Sequence, residues 1–479
     1  MKFSDLQLTT PYLLLDSLFY EKVEPTPLEK PFLIATSHDA AKLLGIDEDL
    51  DLDEKLVKIV NGERKLAGSQ SFAMCYAGHQ FGYFVASLGD GRAVNLGKVN
   101  GQNLQLKGSG RTRYSRQGDG RAVLRSSIRE FLMSEAMHGL GIATSRALAL
   151  IGSDSDVARQ KWEKGAIVLR LSPTWVRFGT FEYFNAIKET QKLQQLADYV
   201  IDESYPELIG EEEKYLKMYE KVVKNTAKTV AKWQAYGFNH GVMNTDNMAI
   251  DGRTIDYGPF AFFDTYDPNY VCNRSDAQGR YSFRGQPGIA HWNLSQLALA
   301  LAPIVDHEST LEILEESFGD VYEAEYTQLM YQRMGLQGAE EKDLSLLTLM
   351  LRSLEHSLID YNQFFRKLSV YKGERSEILD LTIYPEYLDR WLDRYDARLK
   401  KESRLEEQRH KSMIQVNPKY ILKNYILQEA IEKANRHDFS MVKHLLKVAL
   451  APFDEYPELE YLAKPTPSEY KNIKLSCSS

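Results

Sequence analysis

A change of pattern along the chain constrains its fold more than any other feature. Between about residue 72 and residue 171, short apolar runs alternate with glycine turns, which predicts β-strands. After about residue 186 apolar residues recur at helical spacing, apart from a break at 237–290 where glycines and strand-like runs return. Strands followed by helices with a small β insertion predict an α+β fold of two lobes, one β-rich and one mainly helical.

Length also favours two lobes, because 479 residues are too many for one compact core. We expect residues 1–185 to hold an irregular N-terminal extension, with a short helix near Ala40–Leu44, and the β-rich lobe. Residues 186–479 are expected to form the helical lobe and a C-terminal tail. The patterns predict strands at 103–107, 147–151 and 166–171, and helices at 121–138, 187–202, 212–236, 293–302, 309–317, 321–334, 343–368, 385–412, 419–435 and 440–450.

Composition argues against several classes of protein. No run of eighteen apolar residues occurs, so no membrane span is expected, and the N-terminus lacks the features of a signal or transit peptide. We therefore expect a cytoplasmic protein. The net charge of −8 argues against nucleic acid as a partner, because a protein that binds nucleic acid requires a basic surface. The three cysteines, Cys75, Cys272 and Cys477, form no C-x-x-C pair and fit a reducing compartment.

Positive charge is nevertheless concentrated in one stretch. Residues 107–129 carry seven lysines and arginines and one acidic residue, Asp119. In an acidic protein such a patch suits a small polyanion such as a triphosphate. A solvated helix face is the alternative interpretation.

The break at 237–290 holds the residues best suited to a metal ion. Asp251-Gly252 is a turn signal, and a hairpin there brings Asn247 and Asp256 together at its open end. An amide oxygen and a carboxylate are ligands that suit Mg²⁺ or Mn²⁺. The sequence therefore predicts a divalent metal site at these two residues.

The same segment resembles the catalytic loop of protein kinases. His240 and Asn247 have the spacing of the kinase motif H-R-D-x-x-x-x-N, and Asp256-Tyr257-Gly258 stands in place of D-F-G. Kinases also hold phosphates with a strand lysine paired to a helix glutamate, for which Lys107 and Glu130 are the candidates. An ordinary surface pair is the alternative for those two residues.

The segment also departs from kinases. The position of the catalytic aspartate is occupied by Val242, which cannot accept a proton. The nearest spare carboxylate is Asp246, which either accepts a hydroxyl proton from a different direction or only caps the local turn. Neither G-x-G-x-x-G nor a Walker A motif is present. Two Gly-Asp-Gly-Arg-Ala segments, Gly89–Ala93 and Gly118–Ala122, would instead let backbone amides approach phosphate or ribose, although each alone is only a turn.

Arg170 and Arg177 bear on the type of reaction. Kinases bury an uncharged adenine in the corresponding region, where unpaired guanidinium groups would be costly. The same groups bind phosphates bidentately. The two arginines thus favour a nucleotide bound in reverse, with its α-phosphate at the metal, and hence nucleotidyl transfer. Ion pairs at a helix end or on the surface are the alternative role.

Seven further blocks of sequence are long and specific, namely Tyr76–Gly82, Leu106–Thr112, Ser115–Ala122, Ser126–Phe131, Arg177–Glu182, Asn239–Asn247 and Ile255–Phe260. Together they resemble the selenoprotein O family, and the resemblance extends along nearly the whole chain. The resemblance implies a bilobal protein-kinase-like fold that binds ATP in a flipped orientation and transfers AMP to Ser, Thr or Tyr hydroxyls of proteins. Bacterial members are also linked to UMP transfer, so UTP is a second candidate substrate.

The resemblance also implies roles for individual residues. Asn247 and Asp256 would hold Mg²⁺ or Mn²⁺. Asp246 would accept the proton, and Glu130 would pair with Lys107. Nucleotide contacts are implied for Gly89, Gly91, Arg92, Lys107, Asp119, Gly120, Arg170 and Arg177. An ordinary kinase that transfers the γ-phosphate and a non-catalytic nucleotide-binding scaffold are the competing hypotheses.

The cysteines receive a separate interpretation from the same resemblance. Eukaryotic members of the family place selenocysteine near the C-terminus, and Cys477 occupies a similar position. Cys272 lies in the region that resembles an activation loop. The resemblance thus suggests a regulatory disulfide between Cys272 and Cys477. Two unrelated thiols are the alternative.

Overall fold

The computed structural model describes residues 1–338, 340–471, 473 and 475–476. Within them the chain has a mixed α+β architecture, with strands mainly before residue 173 and helices mainly after it. This confirms the predicted order of a sheet-rich part followed by a helical part. None of the described helices combines the length and the apolar composition that crossing a membrane requires.

The N-terminal half is built on an antiparallel sheet. The strands of the described residues are β1 (Tyr20–Lys22), β2 (Pro31–Thr36), β3 (Phe72–Met74), β4 (Gly78–Gln80), β5 (Tyr83–Val85), β6 (Ala93–Val99), β7 (Gln102–Lys107), β8 (Ala122–Val123), β9 (Arg146–Ala158), β10 (Trp162–Ser172), β11 (Phe238–Asn239) and β12 (Ala261–Phe262). The main sheet has the order β1-β3-β6-β7-β10-β9-β2, and β8 pairs with β10. Two small sheets pair β4 with β5 and β11 with β12.

Two strands correct the expectation of an irregular N-terminal extension. β2 pairs with β9 at one edge of the main sheet, and β1 pairs with β3 at the other edge. Both are short, and β2 begins with a proline, which edge strands tolerate. Pairing with distant partners creates these strands, and a local sequence pattern does not reveal such pairing.

The hairpin of β9 and β10 is longer than the sequence predicts. Its apolar part matches the predicted runs 147–151 and 166–171, and the strands then continue toward the turn through polar residues such as Ser153 and Ser155. Backbone pairing across the hairpin, with Trp162 opposite Ala158 near the turn, holds this outer part. Because the outer part has no apolar alternation, periodicity cannot predict it.

Helices predominate in the C-terminal half. The helices of the described residues are α1 (His38–Lys42), α2 (Leu56–Val60), α3 (Leu124–Gly139), α4 (Phe178–Ala186), α5 (Thr190–Ser204), α6 (Lys214–Tyr236), α7 (Gln286–Leu301), α8 (His307–Arg333), α9 (Asp343–Ser357), α10 (Tyr361–Leu368), α11 (Ser376–Leu379), α12 (Pro385–Leu399), α13 (Glu406–Ile414), α14 (Asn424–Ala434) and α15 (Ser440–Leu450).

Several helix boundaries differ from the predicted ones. The runs 309–317 and 321–334 belong to one helix, α8, because a long helix tolerates Gly319 in its interior. The predicted helix 343–368 is interrupted at Leu358, whose φ of 53° is left-handed. The predicted helix 385–412 is divided between α12 and α13. The sequence pattern does not predict α4, which is rich in aromatic residues that favour strands.

Strand β7 shows how the sheet positions polar side chains. Leu104 and Leu106 are fully buried in the core on one face of the sheet. Gln105 and Lys107 lie on the opposite face, as the period of two predicts, and Arg170 of β10 pairs in register with Gln105. Helix α3 packs on β9 and β10. The polar row is therefore buried in the protein and not exposed on the sheet surface.

Gly139 lies where α3 contacts α15. A Cβ atom at this position would overlap the carbonyl oxygen of Ala449 and lie 3.0 Å from Cδ of Pro452. We expect Gly139→Ala to lower the free energy of unfolding by about 1–3 kcal/mol, the usual range for overpacking, although alanine is the better helix former. Urea denaturation followed by circular dichroism measures the change.

Gly319 in α8 provides the matched control, because nothing lies within 4 Å of the position that its Cβ would take. Gly319→Ala is expected to raise the free energy of unfolding by about 0.5–1 kcal/mol. A stabilisation of similar size in both variants would contradict the close packing of α3 on α15.

Candidate functional site

A cleft of about 710 Å³ lies between the sheet and the segment 242–259. This cleft contains the residues that the sequence predicts for nucleotide binding, metal binding and proton transfer. They are Gly89, Gly91, Arg92, Lys107, Asp119, Gly120, Arg170, Arg177, Asp246, Asn247 and Asp256. Glu130 lies behind Lys107, where both line an adjoining cavity of about 270 Å³.

Lys107 of β7 and Glu130 of α3 form a buried ion pair, with Nζ 2.7 Å from Oε2. The other carboxylate oxygen of Glu130 accepts a hydrogen bond from Arg170 at 2.8 Å. Burial lowers the pKa of Lys107, and the carboxylates of Asp256 and Glu130 oppose that shift. Because both partners are buried, an ordinary surface pair is excluded.

Three cationic side chains contact the carboxylate of Asp256. Its Oδ1 lies 2.9 Å from Nζ of Lys107 and 2.6 Å from Nη1 of Arg170, and its Oδ2 accepts from Arg177. Burial alone would raise the pKa of Asp256, but Arg177, Lys107 and Arg170 hold that pKa well below its usual range. Asp256 has a φ of 58°, which is uncommon for a residue with a side chain. Such strain persists where the surrounding contacts over-determine the backbone.

Arg170 and Arg177 are buried and each stacks on an aromatic ring. The guanidinium carbon of Arg170 lies 4.5 Å from the ring centre of Trp175, and that of Arg177 lies 4.8 Å from the ring centre of Tyr76. Burial would lower the pKa of both arginines, but the neighbouring carboxylates raise it. Both groups are therefore charged and held in fixed positions, as parts of buried ion pairs and not of surface ones.

Asp246 and Asn247 belong to one 3₁₀ turn, Thr245–Asn247. The Oδ2 of Asp246 accepts from Nε2 of Gln80 at 3.0 Å, whereas its buried Oδ1 has no partner among the described residues. Burial raises the pKa of Asp246 to about 6. Asn247 donates from Nδ2 to the carbonyl oxygen of Val242 at 3.0 Å, and this bond does not use its Oδ1.

This set of oxygen atoms fits a divalent cation. Asp256 supplies a carboxylate, Asn247 supplies an amide oxygen, and Asp246 adds a buried carboxylate oxygen without a partner. The side chains of Lys107, Arg170 and Arg177 form the inner end of the cleft. They pair with the carboxylates of Asp90, Glu130 and Asp256, so the fixed charges there nearly cancel. A triphosphate requires more positive charge there, which a divalent cation would supply.

A second group of possible ligands lies at the surface. His38, Asp49 and Asp51 place one ligand atom each within 4.8 Å of one another. All three side chains are exposed, and none of them lines the cleft. Exposed acidic groups of this kind are common without a metal ion, so we assign no site to them.

His240 and Val242 occupy two positions of the kinase-like motif. His240 is buried, with Nε2 3.1 Å from the backbone oxygen of Ile255 and its ring stacked on Trp233. It therefore ties the loop to the residue before Asp256 and does not line the cleft. Val242 does line the cleft, at the position of the kinase aspartate.

The backbone conformation and close packing of the chain require glycine at positions in both Gly-Asp-Gly-Arg-Ala segments. Gly89 has a φ of 120°, and a Cβ there would lie 2.7 Å from Cδ1 of Tyr114. Gly120 has a φ of 70°, and a Cβ there would overlap the backbone of Gly110. Asp119 pairs with Arg159 at 2.7 Å. Packing thus explains these glycines without a ligand, and their contacts with a nucleotide stay predictions.

The cleft is also lined by Tyr76, Gln80 and Asp90, to which no sequence motif assigns an individual role. Asp90 is buried, accepts from the backbone N–H of Met74 at 3.0 Å and lies 3.9 Å from Arg177. Burial raises the pKa of Asp90, and Arg177 opposes this shift. Tyr76 and Gln80 belong to a block that carries the family resemblance, but no spacing rule connects that block with the distant Asp246.

Cys272 is buried, with its thiol 2.6 Å from the backbone oxygen of Pro259. Leu475 lies beside this segment, because its backbone oxygen accepts a hydrogen bond from the backbone N–H of Arg274 at 2.9 Å. Cys477, the predicted partner of Cys272, lies outside the described residues.

Comparisons with known proteins match the chain over nearly its full length. The sequence profile of the family described as "Protein adenylyltransferase SelO" matches residues 2–449. A protein nucleotidyltransferase YdiU from Thioalkalivibrio sulfidiphilus (strain HL-EbGR7) is 44% identical over 491 residues, which cover 100% of both chains. Relatives of the same name from Myxococcus xanthus (strain DK1622) and Aliivibrio fischeri (strain ATCC 700601 / ES114) are 42% and 43% identical and cover 99% of each chain.

The balance of charge in the cleft predicts how Asp256→Asn changes anion binding. The substitution removes the shared negative partner of Lys107, Arg170 and Arg177. In the presence of EDTA, we expect inorganic tripolyphosphate to bind the variant about tenfold more tightly than the unaltered protein, because the cations lose a competing carboxylate. Isothermal titration calorimetry measures both values of Kd.

Asp320→Asn is the control, because it removes an exposed carboxylate of α8 that does not line the cleft. Its Kd for tripolyphosphate is expected to equal that of the unaltered protein. Unchanged or weaker binding by Asp256→Asn would show that the three cations do not receive the anion.

Proposed function

The chain belongs to the SelO family of protein adenylyltransferases, and from that membership we propose that it transfers AMP from ATP to Ser, Thr or Tyr hydroxyls of proteins, with release of pyrophosphate. It is an enzyme of the protein nucleotidyltransferase class, the name that its curated relatives carry. The proposed transfer of AMP is supported by the position of Asp256. Its carboxylate contacts three cationic side chains, and it lines the same cleft as Asp246 and Asn247.

We assign the cleft to the junction of two lobes, 1–185 and 186–479, of a protein-kinase-like fold. The support is the order in which the parts of the site occur along the chain. A strand lysine, a helix glutamate, a loop with Asn247 and then Asp256 all converge on one place. This is the order of the phosphate-holding parts in kinases.

The nucleotide is proposed to bind with its phosphates at the inner end of the cleft. Lys107, Arg170 and Arg177 are buried there, and an adenine ring against them would displace water without offering enough hydrogen-bond acceptors. Phosphate oxygens accept hydrogen bonds from such groups. In this orientation the α-phosphate is the one nearest Asn247 and Asp256, which favours nucleotidyl transfer over phosphate transfer.

Asn247 and Asp256 would hold Mg²⁺ or Mn²⁺, with the unpartnered oxygen of Asp246 beside them. When bound, the ion would neutralise negative charge on the triphosphate. The oxygen ligands suit either ion. UTP would bind to the same residues, because these residues recognise the triphosphate and not the base.

Asp246 is proposed to accept the proton of the attacking hydroxyl. A pKa of about 6 leaves this carboxylate ionised at neutral pH, and Asp246 lines the cleft beside Asn247. The hydroxyl oxygen bonds to the α-phosphorus, the bond from that phosphorus to the bridging oxygen breaks, and pyrophosphate leaves. The cations at the inner end stabilise the charge that develops on the phosphates.

Labelled nucleotides distinguish this function from its rivals. We expect label from α-³²P-ATP, and none from γ-³²P-ATP, to appear on the chain itself or on casein as a general acceptor, in the presence of Mg²⁺ or Mn²⁺. The reason is that Val242 lines the cleft where kinases carry the catalytic aspartate, and Asp246 lies beside the expected α-phosphate. Autoradiography after denaturing electrophoresis measures the transfer.

Label from the γ-position would contradict the proposal and indicate a kinase. Binding of ATP without transfer of either label would indicate a non-catalytic scaffold. Mass spectrometry of the labelled protein separates AMP from UMP when both nucleotides are offered.

We also propose a regulatory disulfide between Cys272 and Cys477. It is supported by the hydrogen bond between Arg274 and Leu475, which holds Leu475, two residues before Cys477 in sequence, beside the segment that follows Cys272. After mild oxidation with diamide, we expect both thiols to resist alkylation and a disulfide-linked peptide to appear. Peptide mass spectrometry of the denatured, alkylated protein measures this.

The buried Cys75 serves as the internal control and is expected to stay a free thiol. Cys477→Ser should restore full alkylation of Cys272 after the same treatment. An oxidised unaltered protein in which Cys272 is fully alkylated would refute the pairing.

A further inference from the structure

The hairpin of β4 and β5 binds the turn that carries Asp246. Residues 79–81 lie at the end of β4 and donate hydrogen bonds to residues 244–246, which are more than 160 positions away in sequence. The backbone N–H of His79 donates to Oγ1 of Thr245 (2.7 Å), Nε2 of Gln80 to Oδ2 of Asp246 (3.0 Å), and the backbone N–H of Phe81 to Oδ1 of Asn244 (3.3 Å).

Gln80 is the member of this set that contacts the carboxylate itself. It is partly buried and lines the cleft, so its side chain lies at the cleft edge of Asp246. Its amide holds Oδ2, and the second oxygen, Oδ1, is buried without a partner among the described residues. Since an amide does not titrate near neutral pH, Gln80 can orient a proton acceptor without competing for the proton.

Two glycines leave Asp246 little room on the hairpin side. A Cβ at Gly78 would lie 2.9 Å from both Cβ and Oδ1 of Asp246. A Cβ at Gly179 would overlap the carbonyl oxygen of Ala77 and lie 3.4 Å from Cα of Asp246. The hairpin therefore packs directly against this aspartate, which restricts its alternative rotamers.

The hairpin is itself held on two sides. Nδ1 of His79 lies 3.2 Å from Oε2 of Glu182 in α4, and the same oxygen accepts from Oγ1 of Thr245 at 3.0 Å. The hydroxyl of Tyr281 accepts from the backbone N–H of Phe81 at 2.9 Å. The position of Gln80 is thus determined by a hydrogen-bonded unit of the hairpin, α4 and the turn.

We propose that Gln80 is a positioning residue for Asp246. Its amide holds Oδ2 and the hairpin packs against the buried Oδ1, so the carboxylate keeps one orientation beside the cleft, where the attacking hydroxyl is expected. This inference rests on the proposed function, because it takes Asp246 as the proton acceptor. Gln80 acts through Asp246 and contributes to the rate of transfer, not to the affinity for ATP.

A double-mutant cycle of Gln80→Met and Asp246→Asn tests the inference. Methionine keeps the length of the side chain and removes the donor. The readouts are the rate of AMP incorporation from α-³²P-ATP into the chain and into casein at saturating ATP, and the ATP concentration that gives the half-maximal rate. Gln80→Met is expected to lower the saturating rate at least about tenfold, to keep the half-saturating ATP within about twofold, and to cause no further loss in the Asp246→Asn background.

Two more variants separate positioning from folding. Gly78→Ala displaces Asp246 while leaving Gln80 unaltered, and it is expected to give the same loss of rate. Tyr83→Ala alters the exposed end of the hairpin, outside the cleft lining, and is expected to keep the rate of the unaltered protein. Thermal unfolding midpoints show whether each variant is folded.

Several outcomes would overturn the inference. One is an unchanged rate of AMP incorporation in Gln80→Met, and another is an equal loss of rate in the unaltered and Asp246→Asn backgrounds. A third is an unchanged saturating rate with a higher half-saturating ATP concentration, which would make Gln80 a nucleotide contact. If the unaltered protein binds ATP but transfers no α-label, the proposed function fails and the inference fails with it.

Discussion

The site depends on one buried carboxylate. Asp256 pairs with Lys107 of β7, Arg170 of β10 and Arg177 at the start of α4, and it does so from a left-handed backbone conformation. Charges without partners are very costly in a protein interior, so each of these side chains depends on the others. Glu130 extends the network into α3. The residues proposed to hold a triphosphate are therefore also the residues that join the sheet to the helical part of the chain.

The same network limits what the cleft can bind. Because carboxylates at the inner end nearly cancel the cations, the protein alone offers little net attraction to a triphosphate. A divalent cation bound as proposed at Asn247 and Asp256 would change this balance, and the binding of metal and nucleotide would then be linked.

Much of this arrangement could be predicted from the sequence, because it follows from local periods and spacings. The period of two in β7 places Lys107 on the polar face, and the turn at Asp251-Gly252 brings Asn247 and Asp256 into one cleft. The edge strands β1 and β2 and the hydrogen bond from Gln80 to Asp246 could not be predicted in this way. They arise from pairings between segments far apart in the chain, for which a single sequence carries no periodic signal. The helix boundaries differ for a related reason, since packing and not propensity decides where Gly319 is tolerated and where Leu358 ends a helix.

The proposed transfer of AMP depends on the orientation of the nucleotide, which a crystal structure with Mn²⁺ and a non-hydrolysable ATP analogue would reveal. We expect an anomalous peak for manganese between Asn247 and Asp256, the α-phosphate as the phosphate nearest to it, and adenine toward the mouth of the cleft near Arg92. Adenine packed against Arg170 and Arg177, with the phosphates pointing outward, would contradict it.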